Sequence, residues 1–337
     1  MKLKNICIID GSYFLHRCMK QQNLFDLRNS ELERTGGIYG FLNIFQKEIR
    51  MIGDYFPIVC WDNGQSIRRL TIYDNYKKHL DRMNDPDFKP LHKMSDIELD
   101  EDYVYQYKLQ RKKLIELLNA FGIPNLQFKH TEGDDLMYWL TQHSEKSIVM
   151  SDDRDMLQVL SENCRVKQCM KEVTYTIDSF LEEYELDSVD AFIRRKAFCG
   201  DGSDNIPGCC FQVGEKSVSE FFKLYKILKA KNDLNFLKVV DEKGLKEFCK
   251  ANDIKYKKAY INFDEDQFLK NLELVDLRKV RADEFDDEGI YTAIRNVYKT
   301  NNIKRPLELL NRYEIKTVNT NIIFETLIMS RHNIKDN

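Results

Sequence analysis

The chain has 337 residues, 42% of them hydrophobic and 32% charged, with a formal net charge of −3. That balance suits a globular protein of one large or two smaller domains, and no apolar run approaches the length of a membrane span. Nine scattered cysteines, with no CxxC pair and no His/Cys set at zinc spacing, favour reduced thiols over disulfides or a zinc site.

Lys4 to Asp10 (KNICIID) reads as a fully buried strand ending in an acid. The short run Ile6–Ile9, broken by Asp10, is not a secretory signal, and reduced thiols point to a cytoplasmic setting. Gly11 and Ser12 turn into a helix. Gly36, Gly37 and Gly40 lie in a second loop-to-helix passage, with Phe41, Ile44 and Phe45 at helical spacing. Phe56 to Asp62 (FPIVCWD) is again a strand ending in an acid. From Tyr73 to about Lys113 the chain is polar and mixed in charge, too long for an ordinary connection between strand and helix. Its second half, from about Ile97 to Phe121, predicts a helix ending at Gly122. Tyr76, Lys77, Lys78 and His79 set an aromatic among cations, which suits a clamp for a polyanion as well as a plain surface loop.

His130 to Leu140 (HTEGDDLMYWL) crowds Glu132, Asp134 and Asp135 ahead of an apolar run, at the entry to a helix. Acids in a first helical turn also serve simply to answer the helix dipole. Ser147 to Asp155 (SIVMSDDRD) is a third strand running into acids. The alternation of strands and helices predicts an α/β fold with a parallel sheet, whose ligand crevice lies outside the carboxyl ends of the strands. Asp10, Asp62, Asp153 and Asp155 would arrive at that edge, and the helix starting near Glu132 would meet them from the side. Two like charges about 4 Å apart cost roughly 4 kcal/mol at an effective dielectric near 20. Either protons or cations must therefore neutralise such a set, and all-oxygen ligands with no His or Cys suit Mg²⁺ or Mn²⁺. Two such ions perform in-line phosphodiester chemistry.

Farther on, a helix from Ser188 to Cys199 carries Arg194, Arg195 and Lys196. A turn, GDGSDNIPG, follows with Asp201 and Asp204, and Gly214, Glu215 and Lys216 open another helix. Backbone N–H groups and a lysine at a helix start make a phosphate-backbone grip; the alternative is a plain helix–turn–helix corner.

In this order, IDGS, WD, RRLTIYDNYKK, EGDD, SDDRDMLQVL, GDGSDNIPG and VGEKS resemble the structure-specific 5′ nucleases. These are the flap endonucleases, the 5′ nuclease domains of bacterial DNA polymerase I, and the phage 5′→3′ exonucleases with RNase H activity, the last being most similar in size. The resemblance runs from about residue 4 to residue 277, where FLKNLELVDL is similar to the end of the family's helical region. It implies a PIN-like nuclease core over 1–185, with a helical arch at 73–113. It further implies a helix–hairpin–helix-like duplex-DNA-binding region over 186–277, leaving 278–337 as an extension of unknown role.

The resemblance also implies that Asp10, Asp62, Glu132, Asp134, Asp135, Asp153, Asp155, Asp201 and Asp204 serve two Mg²⁺ ions, for which Mn²⁺ substitutes. Asp152 is counted as structural. Lys77 matches the active-site lysine, Arg69 lies in the same basic segment, and Tyr76 is its stacking aromatic. Lys78, Arg82, Arg194, Arg195, Gly214 and Lys216 would contact DNA. Gln212 replaces a family glycine in the hairpin, and Leu80 stands where related enzymes carry a basic residue, a part Arg82 could take. The substrates implied are branched or nicked duplex DNA and RNA/DNA hybrid with a free 5′ end, with removal of RNA primers and flaps in replication. A single-strand-binding protein or clamp is the candidate protein partner, although no QxxLxxFF box is present. The rival readings are a PIN-type single-strand endoribonuclease and a catalytically silent DNA-junction-binding protein.

Overall fold

The computed structural model describes residues 2–78, 102–210, 215–231, 233, 236–280, 285–298 and 303–335. It divides into two compact units. The first comprises residues 1–66, 94–184 and 280–337; the second, 67–93 and 185–279. The C-terminal stretch, set apart in the sequence reading, thus belongs to the first unit, and the start of the polar insertion belongs to the second.

The first unit is built on a sheet of seven strands: β1 (Lys2–Asp10), β2 (Phe56–Cys60), β3 (Asn125–Leu126), β4 (Ser144–Met150), β5 (Cys164–Gln168), β6 (Val173–Tyr175) and β7 (Ile334–Lys335). The order is β3-β2-β1-β4-β5-β6, with β7 pairing the start of β1. All pairings are parallel except β5–β6 and β1–β7. β1 is flanked on both sides, which is why it is apolar without alternation: Ile6, Cys7, Ile8 and Ile9 are all buried. The helix Gly133–Gln142 packs on β1 and β4, and the helix Thr320–Ser330 packs on β2 and on the helix Gly36–Ile52. The helix Tyr103–Phe121 ends, as its sequence predicts, at Gly122 in the left-handed region.

The strand expected over Phe56–Asp62 stops at Cys60, and the one expected over Ser147–Asp155 stops at Met150. In each case the acids lie in the turn beyond the strand rather than in its last position. Gly11 allows the tight turn out of β1, because a Cβ there would stand 2.7 Å from the Trp61 ring and from Val59. Among the described residues no helix is long and apolar enough to cross a membrane.

The second unit is helical. Its main elements are the helices Ile67–Ile72, Val189–Cys199, Glu215–Ala230, Glu242–Ala251 and Glu265–Val275. They close on an aromatic core in which Phe221 lies 4.4 Å from Phe198 and 4.7 Å from Phe263, with Tyr260 and Phe268 alongside. Ring pairs at such spacings contribute about 0.5–1.5 kcal/mol each beyond the area they bury.

Candidate nuclease site

Parallel register levels the strand ends. Asp10 stands opposite Cys60, and Ile9 opposite Met150. The residues that follow, Trp61–Asp62 and Ser151–Asp153, therefore emerge beside Asp10. Asp10 is buried, with 8% of its surface exposed. Its carboxylate accepts from the Tyr13 N–H at 2.9 Å, capping the helix Gly11–Met19, and from Ser151 Oγ at 2.8 Å. Ser151 Oγ in turn accepts from the Asp153 N–H at 3.2 Å, and Asp153 Oδ1 accepts from the Asp155 N–H at 2.9 Å.

On the other side, the Asp62 N–H donates to Ser12 Oγ at 2.9 Å, and Asp62 Oδ1 accepts from the Gly133 N–H at 2.6 Å. That second bond places the first turn of the helix Gly133–Gln142, with Glu132, Asp134 and Asp135, against the same edge. Glu132 and Asp135 are buried, and Glu132 Oε1 accepts from the Ser66 N–H at 3.1 Å. The seven acids assigned to this unit thus sit on one connected set of turns. Asp152 differs: its carboxylate accepts from the Met170 N–H at 2.9 Å. Among the described residues no three His, Cys, Asp or Glu side chains are grouped closely enough to hold an ion as they stand.

The electrostatic consequence falls on Asp10. Burial, and then the negative charge of Asp62, pushes its carboxyl up to about 8; the bonds from Tyr13 and Ser151 oppose this without cancelling it. At neutral pH a proton or a cation must occupy this corner.

Sequence reading missed the groups that hold Asp62. Arg111 Nη2 donates to the Asp62 carbonyl at 2.7 Å and to Gln127 Oε1 at 2.9 Å. Tyr107 stacks on His16 at 3.8 Å, and Tyr103 OH lies 2.7 Å from His16 Nδ1. Tyr103, Tyr107 and Arg111 are spaced by four, a stripe on one helix that would have been the available signal.

In the second unit, Asp201 and Asp204 sit in the turn after the helix Val189–Cys199. Gly200 has φ +73, and a Cβ there would meet Ile206 O at 2.5 Å, so the turn closes only with glycine. Lys196 Nζ lies 2.8 Å from Asp201, and the Ser203 N–H donates to the same carboxylate at 2.8 Å. Burial acts to raise the Asp201 carboxyl, but the Lys196 ammonium and these bonds outweigh it and hold the group down at about 2. Asp204 lies 3.7 Å from Lys77 Nζ, and its backbone O accepts from the Lys77 N–H at 3.0 Å. Lys77 itself has φ +50, a left-handed conformation costing roughly 1–2 kcal/mol in a residue with a Cβ. The contacts to Asp204 hold it there, with its side chain 26% exposed.

Two residues of the basic segment are buried. Tyr76, read as a base-stacking aromatic, is 1% exposed: its OH donates to Asp204 Oδ2 at 3.2 Å, and its ring lies beside Lys77 and Arg69. Arg69, read as a catalytic cation, is 2% exposed, and its Nε donates to Leu274 O at 3.1 Å in the last turn of the helix Glu265–Val275. Both are drawn inward, Arg69 because that helix end needs donors for its carbonyls and Tyr76 because its hydroxyl finds the Asp204 carboxylate. Lys78 Nζ donates to Asn75 Oδ1 at 3.3 Å. Arg194 pairs with Asp190, and Arg195 lies over the Phe192 ring. Arg82, Gly214, Leu80 and Gln212 lie outside the described residues; Lys216 falls in the helix Glu215–Ala230, with its side chain likewise outside them.

Residues 5–185 match the family model described as 5′-3′ exonuclease, N-terminal resolvase-like domain. A 5′-3′ exonuclease of Aquifex aeolicus is 27% identical over 314 residues, covering 88% of this chain and 97% of that protein. A 5′-3′ exonuclease of Buchnera aphidicola is 27% identical over 278 residues, covering 78% of this chain and 88% of that protein. Among solved structures, the T5 D15 protein co-crystallised with metal ions is similar in fold, with a TM-score of 0.56 at 21% identity over 91% of this chain and 99% of that one. A family match spanning more than half the chain, on a sheet whose level strand ends gather acids, leads to one assignment: the chain belongs to the 5′-3′ exonuclease family and is a phosphodiester hydrolase.

Proposed function

We propose that the chain is a divalent-metal-dependent 5′→3′ exonuclease and flap endonuclease with RNase H activity, removing RNA primers and flaps during DNA replication. The observation that carries the reading is the level ending of β1, β2 and β4, which gathers Asp10, Asp62 and Asp153 with the acids of the helix start. These groups fit a hard cation: every donor is oxygen, and Asp10 sits where only a proton or a positive charge relieves its burial. Asp10, Asp62, Glu132, Asp134, Asp135, Asp153 and Asp155 would hold Mg²⁺ or Mn²⁺, and Asp201 and Asp204 complete the acid set that the family resemblance implies. When bound, such an ion supplies an activated water and offsets charge on the leaving oxygen.

The remaining work falls to the chain itself. Lys77, held in place through Asp204, would offset negative charge on the attacked phosphate. Tyr76 and Arg69 would fix the segment that carries Lys77 and would not touch substrate. Arg111 and Ser12 keep the Asp62 turn in place. The helical unit, with Arg194, Arg195 and the start of the helix Glu215–Ala230, would grip duplex DNA through its phosphates. The T5 D15 flap endonuclease has been solved with DNA and metal ions, which supports carrying this substrate class over. A single-strand-binding protein or clamp would be the protein partner on this reading.

The test is a 5′-labelled flap duplex and an RNA-primed duplex, each incubated with Mg²⁺ and with EDTA. Metal-dependent release of short 5′ products supports the reading, and the two rates rank the substrates. Tight binding without cleavage in both Mg²⁺ and Mn²⁺ overturns it.

A further inference from the structure

The helix Glu265–Val275 buries Phe268, Asn271, Leu274 and Val275 on one face. Asn271 alone among these is polar, and it is 0% exposed. An amide in such a place is retained only if its hydrogen bonds are made. Asn271 Nδ2 donates to Ala197 O at 2.8 Å and to Pro207 O at 2.7 Å, and its Oδ1 accepts from Gln267 Nε2 at 2.7 Å. Ala197 O belongs to the last turn of the helix Val189–Cys199, whose carbonyls have no intrahelical partner. Pro207 O lies at the far end of the turn that follows. One buried amide therefore clamps both ends of the turn that carries Asp201 and Asp204.

The turn in turn holds the basic segment. The Lys77 N–H donates to Asp204 O, Tyr76 OH donates to Asp204 Oδ2, and Asn205 Nδ2 donates to Asn75 O at 2.8 Å. We infer that Asn271 is a positioning residue for cleavage: it sets the place of Asp201 and Asp204 and, through Asp204, the strained backbone of Lys77. The inference rests on the reading that these residues serve phosphodiester cleavage. It assigns Asn271 no contact with substrate.

The experiment compares the full-length wild type with Asn271→Leu, which keeps the branched shape and removes the donor, and with Gln267→Leu, which removes only the bond that orients the amide. Gln267 lies near the start of its helix and is not buried, so that variant folds even where Asn271→Leu does not. Three quantities are read: hydrogen exchange in peptides covering 73–78 and 200–209, single-turnover cleavage at saturating Mg²⁺, and DNA affinity in EDTA. Asn271→Leu is expected to lose amide protection in both peptides and to cleave roughly 100-fold more slowly, the cost of displacing groups by about an ångström. Its DNA affinity should be retained. Gln267→Leu should move exchange and rate in the same direction by a smaller factor. Variants that melt at lower temperature but keep wild-type protection and rate would overturn the inference and leave Asn271 a fold residue only. A wild type that does not cleave would instead overturn the metal-nuclease reading, while the exchange result would still show whether the clamp exists.

Discussion

Replacing Asp10 with asparagine tests the electrostatics of the strand-end site without any substrate. In the unfolded chain this carboxyl ionises near pH 3.9; in the folded protein, burial and then Asp62 hold its proton to about pH 8. Between those values the folded state binds one more proton than the unfolded state. Stability therefore falls as pH rises through that window, by about 1.4 kcal/mol per pH unit. From pH 5 to pH 7 the contribution of Asp10 amounts to about 3 kcal/mol. The amide of Asp10→Asn would keep the bond from the Tyr13 N–H and could donate to Ser151 Oγ, so its shape fits the site. Other titrating groups are common to both proteins and cancel in the difference. The assay is urea unfolding in EDTA at pH 5, 6 and 7, followed by tryptophan fluorescence. Both tryptophans, Trp61 and Trp139, are buried in the sheet unit, so the signal reports the unit that holds Asp10. Asp10→Asn should gain on the wild type by about 2–3 kcal/mol across this range. If the two proteins lose stability in parallel, the proton on Asp10 and the crowding that explains it are wrong.

Lys77→Ala should slow single-turnover cleavage by about 10²–10³-fold, as removal of a preorganised charge donor does, while DNA affinity changes little; an unchanged rate would remove Lys77 from the chemistry. Asp153→Asn should abolish cleavage in Mg²⁺ with DNA binding intact, because an asparagine oxygen still accepts from the Asp155 N–H while the charge proposed to hold the ion is gone; retained turnover would refute that. Lys167 and Glu48 form a buried pair at 2.5 Å, with side chains 9% and 3% exposed. Lys167→Ala leaves the buried Glu48 carboxylate only the exposed Lys47, 3.9 Å away, and should cost about 3–5 kcal/mol. Lys167→Met combined with Glu48→Gln should recover most of that loss, and denaturant melts that show no recovery would contradict a buried ion pair.

The sheet and its acidic edge were legible because their signals are local. A strand flanked on both sides is apolar without alternation, and the acid that closes it marks the end of the strand, as at Asp10. The helix after Glu132 and the glycine stop at Gly122 follow from the same short-range chemistry. Burial of polar groups is not local. Tyr76 and Arg69 read as surface residues because an aromatic among cations usually faces solvent. Here the unsatisfied carbonyl that takes Arg69 belongs to Leu274, 205 residues away. The C-terminal stretch carries no motif, yet Ile323 and Ile334 are buried and β7 pairs β1.

Asn271 marks the boundary between the two kinds of information. Its sequence, FLKNLELV, already puts an amide on an apolar helical face, between Phe268 and Val275. That alone says some buried group must answer it, since an unpaired amide there costs about 1–3 kcal/mol. What the sequence withholds is which group answers. The partners are two carbonyls at the ends of the Asp201–Asp204 turn, and only the fold brings them within reach. A polar residue on a buried stripe is thus a sequence-level flag for a structural joint, and in this chain the joint closes the turn that carries Asp201 and Asp204.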